Sequence, residues 1–184
     1  MFDIHFLQNA TPYKDKIVAG DFLFSDADEI EKELETLRIR KPRVFNIETT
    51  NYCNMKCIMC PRTELMTRKN IWIDDDAFLK IVDQVQPYSK QDLEEFWEFI
   101  ESEYGLKGDE PTENTFYFRV VSRCVILHGY GEPLLDKNIV ERVKLCEERG
   151  IPTYFSCTAA NLTLERAKAV MDAGLTVFKF SIDA

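Results

Sequence analysis

The chain has 184 residues, 45% of them hydrophobic, with 23 Lys plus Arg against 32 Asp plus Glu for a formal net charge of −9. That content suits a globular core and excludes disorder of the whole chain. The acidic residues are spread along the sequence, and such a surface repels phosphate, which argues against a nucleic-acid partner.

Residues 1 to 24 mix aromatic and polar types without a clear period and read as an N-terminal arm or small irregular element. Ser25 offers an N-cap with Asp28 three positions on, and Ile30, Leu34 and Leu37 share one stripe, which predicts a helix over about 26 to 38. Residues 1 to 42 are thus an arm and a helix, ahead of a core over 43 to 184. Val44 to Thr49 is strand-like and leads into a cysteine-bearing loop that contains Asn51, Asn54 and Pro61. Asp74 caps a predicted helix whose stripe is Phe78, Ile81, Val82 and Val85, and Pro87 stops it.

Ser89 with Asp92 starts another helix, with Leu93, Phe96, Trp97, Ile100 and Tyr104 on one face and Gly105 at its end. The polar stretch 105 to 115 reads as a loop before the aromatic run Phe116-Tyr117-Phe118, so residues 87 to 121 look like an insertion. Arg123 to His128 is a nearly continuous apolar run, as expected of a parallel strand covered on both faces. A glycine-rich turn follows it. Ile139, Val140, Val143 and Cys146 form a helical stripe closed by Gly150 and Pro152, and Thr153 to Cys157 is a strand. Thr163 caps a helix carrying Leu164, Ala167, Val170 and Met171, ended by Gly174, and Val177 to Ile182 is the fourth strand.

Strands alternating with helices predict an α/β fold with a parallel sheet built from βαβ units. The chain stops at Ala184, directly after a strand whose far edge would be bare, so the expectation is a truncated chain or a fragment completed by another.

The N-terminus lacks a basic stretch followed by an apolar run, and no segment approaches the roughly 20 apolar residues that span a bilayer; the expectation is a cytoplasmic protein with no membrane partner. Its six cysteines would then stay reduced, leaving metal binding or burial to explain them. Cys53, Cys57 and Cys60 are spaced by three and then two residues on the loop beyond the first strand, the end at which βα barrels carry reactive groups. Thiolates are soft ligands that suit Fe-S clusters or zinc. Three of them leave one iron of a [4Fe-4S] cluster open to a substrate. A structural zinc site with a borrowed fourth ligand, a Cys57-x-x-Cys60 redox pair, and plain packing are the other readings. Only His5 and His128 could supply a histidine ligand, and a redox pair leaves Cys53 unexplained.

This C-x3-C-x2-C string resembles the signature of the radical S-adenosylmethionine superfamily. Gly129-Tyr130-Gly131-Glu132-Pro133 resembles that family's glycine-glutamate motif, Ser156 to Thr163 its ribose- and carboxylate-contacting segment, and Ser181-Ile182-Asp183 the end of its fourth strand. Cys157-Thr158 stands where the family usually has Thr-Asn. The resemblance implies a partial (βα)6 TIM-like barrel, of which this chain supplies about the first four βα units. It implies Cys53, Cys57 and Cys60 as ligands of a [4Fe-4S] cluster, with S-adenosylmethionine contacted by Met59, Gly129, Gly131, Glu132, Pro133, Ser156, Thr158, Ser181 and Asp183. Met59 would pack on the adenine, while Gly131 and Glu132 would orient the methionine end. The activity implied is reductive cleavage of S-adenosylmethionine to a 5'-deoxyadenosyl radical that abstracts hydrogen from a small-molecule or peptide substrate. An electron donor such as flavodoxin or ferredoxin would serve it. No residue is assigned as catalytic, and a cluster-binding fragment without activity is the alternative.

Asn51-Tyr52-Cys53, Cys60-Pro61-Arg62 and Met66-Thr67-Arg68 are similar to the subgroup that carries a C-terminal SPASM or twitch extension. The remaining cysteines, Cys124, Cys146 and Cys157, lie in apolar surroundings, where free Cys behaves as a small hydrophobe. His128, between apolar neighbours, reads as a hydrogen-bonded core residue, and the Trp97 stripe reads as packing.

Overall fold

The structure is a computed structural model that describes residues 1 to 20, 27 to 37 and 43 to 182. Among these residues eight helices and three strands run in the order α1 (Ile4–Ala19), α2 (Ala27–Leu37), α3 (Arg62–Leu65), α4 (Asp75–Val82), α5 (Lys90–Tyr104), α6 (Glu113–Arg123), β1 (Val125–Ile126), α7 (Ile139–Glu147), β2 (Thr153–Thr158), α8 (Leu164–Asp172) and β3 (Val177–Ser181). The strands form one parallel sheet, β1-β2-β3, with Val125 opposite Thr153 and Tyr154 opposite Val177. The expected first strand is present as an extended segment that makes only a parallel bridge from Asn46 to Ile126. Its ladder is Ile47 N–H to Ile126 O at 2.8 Å and Ile126 N–H to Phe45 O at 3.0 Å.

Local signals account for most of the helices. Ser89 and Asp92 form a reciprocal capping box on α5, which ends at Gly105 in the left-handed conformation with φ 65°. Asp74 caps α4 and Thr163 caps α8, each through its side-chain oxygen.

Three local expectations are corrected. Residues 4 to 19, expected to be irregular, form α1 despite Pro12 inside it. Tertiary contacts hold this helix: Met1 and Ile4 lie in the main core, and the Ile4 N–H donates to the Tyr88 hydroxyl at 3.2 Å. The strand expected to start at Arg123 starts at Val125, because the aromatic run 116 to 118 belongs to α6, which a second capping box at Thr112 and Thr115 initiates and which extends to Arg123. Finally, β1 is not covered evenly on its two faces. Val125 and Leu127 join the main cluster with Phe155 and Cys157, while Ile126 turns to the other side.

The sheet therefore has two unlike faces. Strand alternation sends Ile47, Val125, Leu127, Phe155 and Cys157 into the core beneath α4, α5, α7 and α8. The opposite face carries Asn46, Glu48, His128, Tyr154, Ser156 and Ser181, and α6 closes part of it through Val120 and Cys124 against Tyr154. The segment 87 to 121, read as an insertion, is integral to packing, since Phe96 and Ile100 of α5 are fully buried in the main cluster. Among the described residues no helix is long and apolar enough to cross a membrane.

Candidate functional site

Parallel strands place their C-terminal ends on one side of the sheet, and three loops meet there: residues 50 to 62 after the first extended segment, 129 to 135 after β1, and 158 to 161 after β2. Specific polar contacts join them. The Glu132 N–H donates to Tyr52 O at 2.7 Å. Asn54 and Asn161 exchange two side-chain amide hydrogen bonds, at 3.1 and 2.9 Å. Tyr52 stacks on Trp72 with ring centroids 4.1 Å apart, and the Trp72 indole donates to Leu135 O at 3.2 Å.

The start of the cysteine loop has its polar groups satisfied internally. Asn51 is buried; its side chain accepts from Ile71 N–H at 2.7 Å and donates to Lys69 O at 2.9 Å. The Arg62 guanidinium returns to Asn51 O at 3.0 Å. Beyond Asn54 the loop faces outward, with Ile58 and Met59 100% and 71% exposed. Cys53, Cys57 and Cys60 are partly exposed and unbridged, whereas Cys124, Cys146 and Cys157 are buried. Burial pushes the last three thiols up, to about 11 for Cys124 and about 12 for Cys146 and Cys157, so they stay protonated and apolar.

The glycine turn packs closely on the first extended segment. A Cβ on Gly131 would lie 1.9 Å from Thr50 O, and one on Gly129 would lie 2.6 Å from a Glu48 carboxylate oxygen. Both glycines thus admit the protein's own first segment. Glu132 is buried, and its two carboxylate oxygens accept from Leu134 N–H at 3.2 Å and Thr158 N–H at 2.9 Å. Burial raises its pKa above the ordinary carboxylate value, and those N–H donors oppose the shift. Pro133 is buried at the first position of the 3-10 turn that follows. Thr158 also accepts from the Asn161 amide at 3.3 Å.

On the polar face, Ser156 and Ser181 hydroxyls lie 3.3 Å apart, and the Ser156 N–H donates to His128 Nδ1 at 3.2 Å. Burial lowers the His128 pKa to about 4, so the partly buried imidazole is neutral. Asp183 lies outside the described residues. The structure therefore brings together the cysteine loop, Gly131, Glu132 and Thr158 in one group, and His128, Ser156 and Ser181 in another. Sequence reasoning missed Asn161 and Trp72 as residues that join the loops, and also Glu48, whose carboxylate accepts the Tyr130 N–H at 2.7 Å and pairs with Arg68 at 2.9 Å. Nothing local marks them, since their partners lie far along the chain.

The three thiols are soft donors of the kind that suit an Fe-S cluster or zinc. Three thiols lie on one loop, they are accessible, and the Cys53 sulfur accepts the Met55 N–H at 3.4 Å, a contact that tunes cluster sulfurs. A cavity of about 550 Å³ adjoins Cys53 and is lined also by Lys56, Arg62 and Arg68. The loop's hydrogen bonds do not draw the sulfurs to one point; among the described residues no three His, Cys, Asp or Glu side chains converge as a metal site. Metal-ligand bonds rather than backbone contacts close such loops, because binding and local folding are coupled. The donor set fits such a group in ligand chemistry and access.

No family model and no curated protein matches the chain. Among solved structures, a crystal structure of BtrN in complex with AdoMet and 2-DOIA is similar to it, at TM-score 0.51 and 18% sequence identity. The two share a fold. The match covers 76% of this chain and 46% of the BtrN chain, so the protein spans less than half of that structure.

Proposed function

We propose that this chain is the cluster- and cofactor-binding portion of a radical S-adenosylmethionine enzyme, built as a partial (βα)6 barrel. The observation that carries the reading is the three-cysteine loop at the C-terminal end of the sheet, tied to the next two loops by Tyr52–Glu132 and Asn54–Asn161. That BtrN, of like fold, holds AdoMet supports it. The sequence flanking the cysteines supports the SPASM- or twitch-bearing subgroup.

In this reading Cys53, Cys57 and Cys60 hold the cluster. Bound cluster and S-adenosylmethionine together supply reductive carbon-sulfur cleavage and a 5'-deoxyadenosyl radical for hydrogen abstraction. The protein's own work is positional. Asn51 and Asn54 fix the base of the loop, and exposed Met59 is free to cover an adenine. The Gly129–Gly131 backbone, held close to Thr50, presents the methionine end of the site, and the polar face with Ser156, Thr158 and Ser181 receives the remainder of the cofactor. Glu132 acts by joining the turn to Thr158, since both of its oxygens are engaged. A small-molecule or peptide substrate and an external electron donor such as flavodoxin or ferredoxin complete the reaction, in the cytoplasm.

Anaerobic reconstitution with iron and sulfide, followed by electron paramagnetic resonance with and without S-adenosylmethionine, tests this. A reduced [4Fe-4S] signal that shifts on adding the cofactor is expected. No cluster signal refutes the site, and a cluster indifferent to the cofactor makes the chain a cluster-binding module without activity.

A further inference from the structure

The polar face of the sheet holds a second cavity, of about 370 Å³, on the side of the sheet covered by α6. Its walls include Phe116, Tyr117, Ile126, His128, Tyr154 and Lys179. That volume lies within the usual range for small-molecule sites and accommodates a single aromatic ring with a short side chain.

Two features of the wall are unusual for mere packing. Phe116 and Tyr117 are 37% and 58% exposed although they sit on a helix that packs against the sheet, so their rings offer free aromatic surface. Phe116 meets Tyr154 edge to face at 6.3 Å, and Tyr154 meets His128 at 5.4 Å, which makes a continuous aromatic lining. Lys179 stands at its edge, with Nζ 5.7 Å from the Phe116 ring centroid. In a chain of net charge −9 it has no carboxylate within ion-pair distance among the described residues.

The histidine adds a donor to the wall. His128 Nδ1 accepts the Ser156 N–H at 3.2 Å, so the ring proton sits on Nε2, which has no hydrogen-bond partner among the described residues. The charged and unpartnered polar groups offered to a ligand on this wall are thus donors, the Lys179 ammonium and His128 Nε2–H. Glu113 at the start of α6 also lines the cavity and is the acidic group there, which disfavours a ligand carrying a second negative charge.

We propose that this cavity binds a small aromatic monocarboxylate, its ring against Phe116, Tyr117 and Tyr154 and its carboxylate on Lys179 and His128. The inference rests on the radical chemistry proposed for the chain only in taking this compound as the substrate. The binding itself needs no cluster.

The test is isothermal titration of the full chain with 4-hydroxyphenylacetate, and with its neutral amide as the comparison. The acid is expected to bind about tenfold tighter than the amide, and K179M to abolish that preference while binding of the amide is unchanged. Tyr117→Ala is expected to weaken both. Circular dichroism confirms that the exposed-site variants fold. Failure of both compounds to bind, equal affinity for acid and amide, or a preference that survives K179M overturns the proposal. Because the titration is made without the cluster, a failed reconstitution does not alter its outcome, and a failed titration leaves the cluster assignment intact.

Discussion

Asn54 and Asn161 exchange two amide hydrogen bonds, at 3.1 and 2.9 Å, across 107 positions of sequence. The pair ties the cysteine loop to the loop after β2.

Asn161→Ala removes both bonds and the one to Thr158. The expected cost is about 1 kcal/mol, since Asn54 is exposed and can turn to water. A urea unfolding curve measures it, and the iron retained after reconstitution is expected to fall as the loop loosens.

Gly131→Ala forces a methyl group to within 1.9 Å of Thr50 O, against backbone that has no side-chain freedom to yield. A loss of about 3 kcal/mol is expected. Gly150→Ala is the contrast: at φ +64° it meets nothing within 4 Å, so only the left-handed backbone is penalised, at about 1 kcal/mol. Denaturant midpoints of the two variants check the ranking.

His128 is neutral in the fold, its pKa lowered by burial from 6.5 to about 4. The unfolded chain therefore binds more protons between those values, and stability is full above pH 6.5 and falls as pH drops toward 4, by about 2 to 3 kcal/mol for this group. Glu132, whose pKa is raised, contributes with the opposite sign, losing stability as pH rises through its folded value. Subtracting the profile of His128→Asn from that of the unsubstituted protein isolates the histidine. A difference that stays flat from pH 7 to 4 contradicts the assignment.

Cys57→Ala is expected to abolish cluster formation, whereas Cys146→Ser is expected to leave the iron content of the reconstituted protein unchanged. The latter buries a hydroxyl at a fully buried position and costs about 1 to 3 kcal/mol. Iron analysis beside thermal unfolding separates the two effects.

The parallel α/β organisation and the helix starts were legible because their causes are local. Ser89 with Asp92, Asp74 and Thr163 satisfy amides two or three residues away, and the spacing of Cys53, Cys57 and Cys60 is itself a short-range pattern. The caps of α6 were equally local, yet its aromatic run hid the helix. Contacts distant in sequence decided the rest. α1 forms around Pro12 because Met1 and Ile4 are buried against the core, and the first strand shrinks to a bridge. The need for Gly131 comes from Thr50, the join between loops from Asn161 and Trp72, and the aromatic cavity from α6 lying on the polar face. The sequence by itself determined which elements alternate and that three thiols share one short loop. Only the tertiary structure decided which loops meet and which face of the sheet stays polar, because those depend on side chains that find partners across the fold.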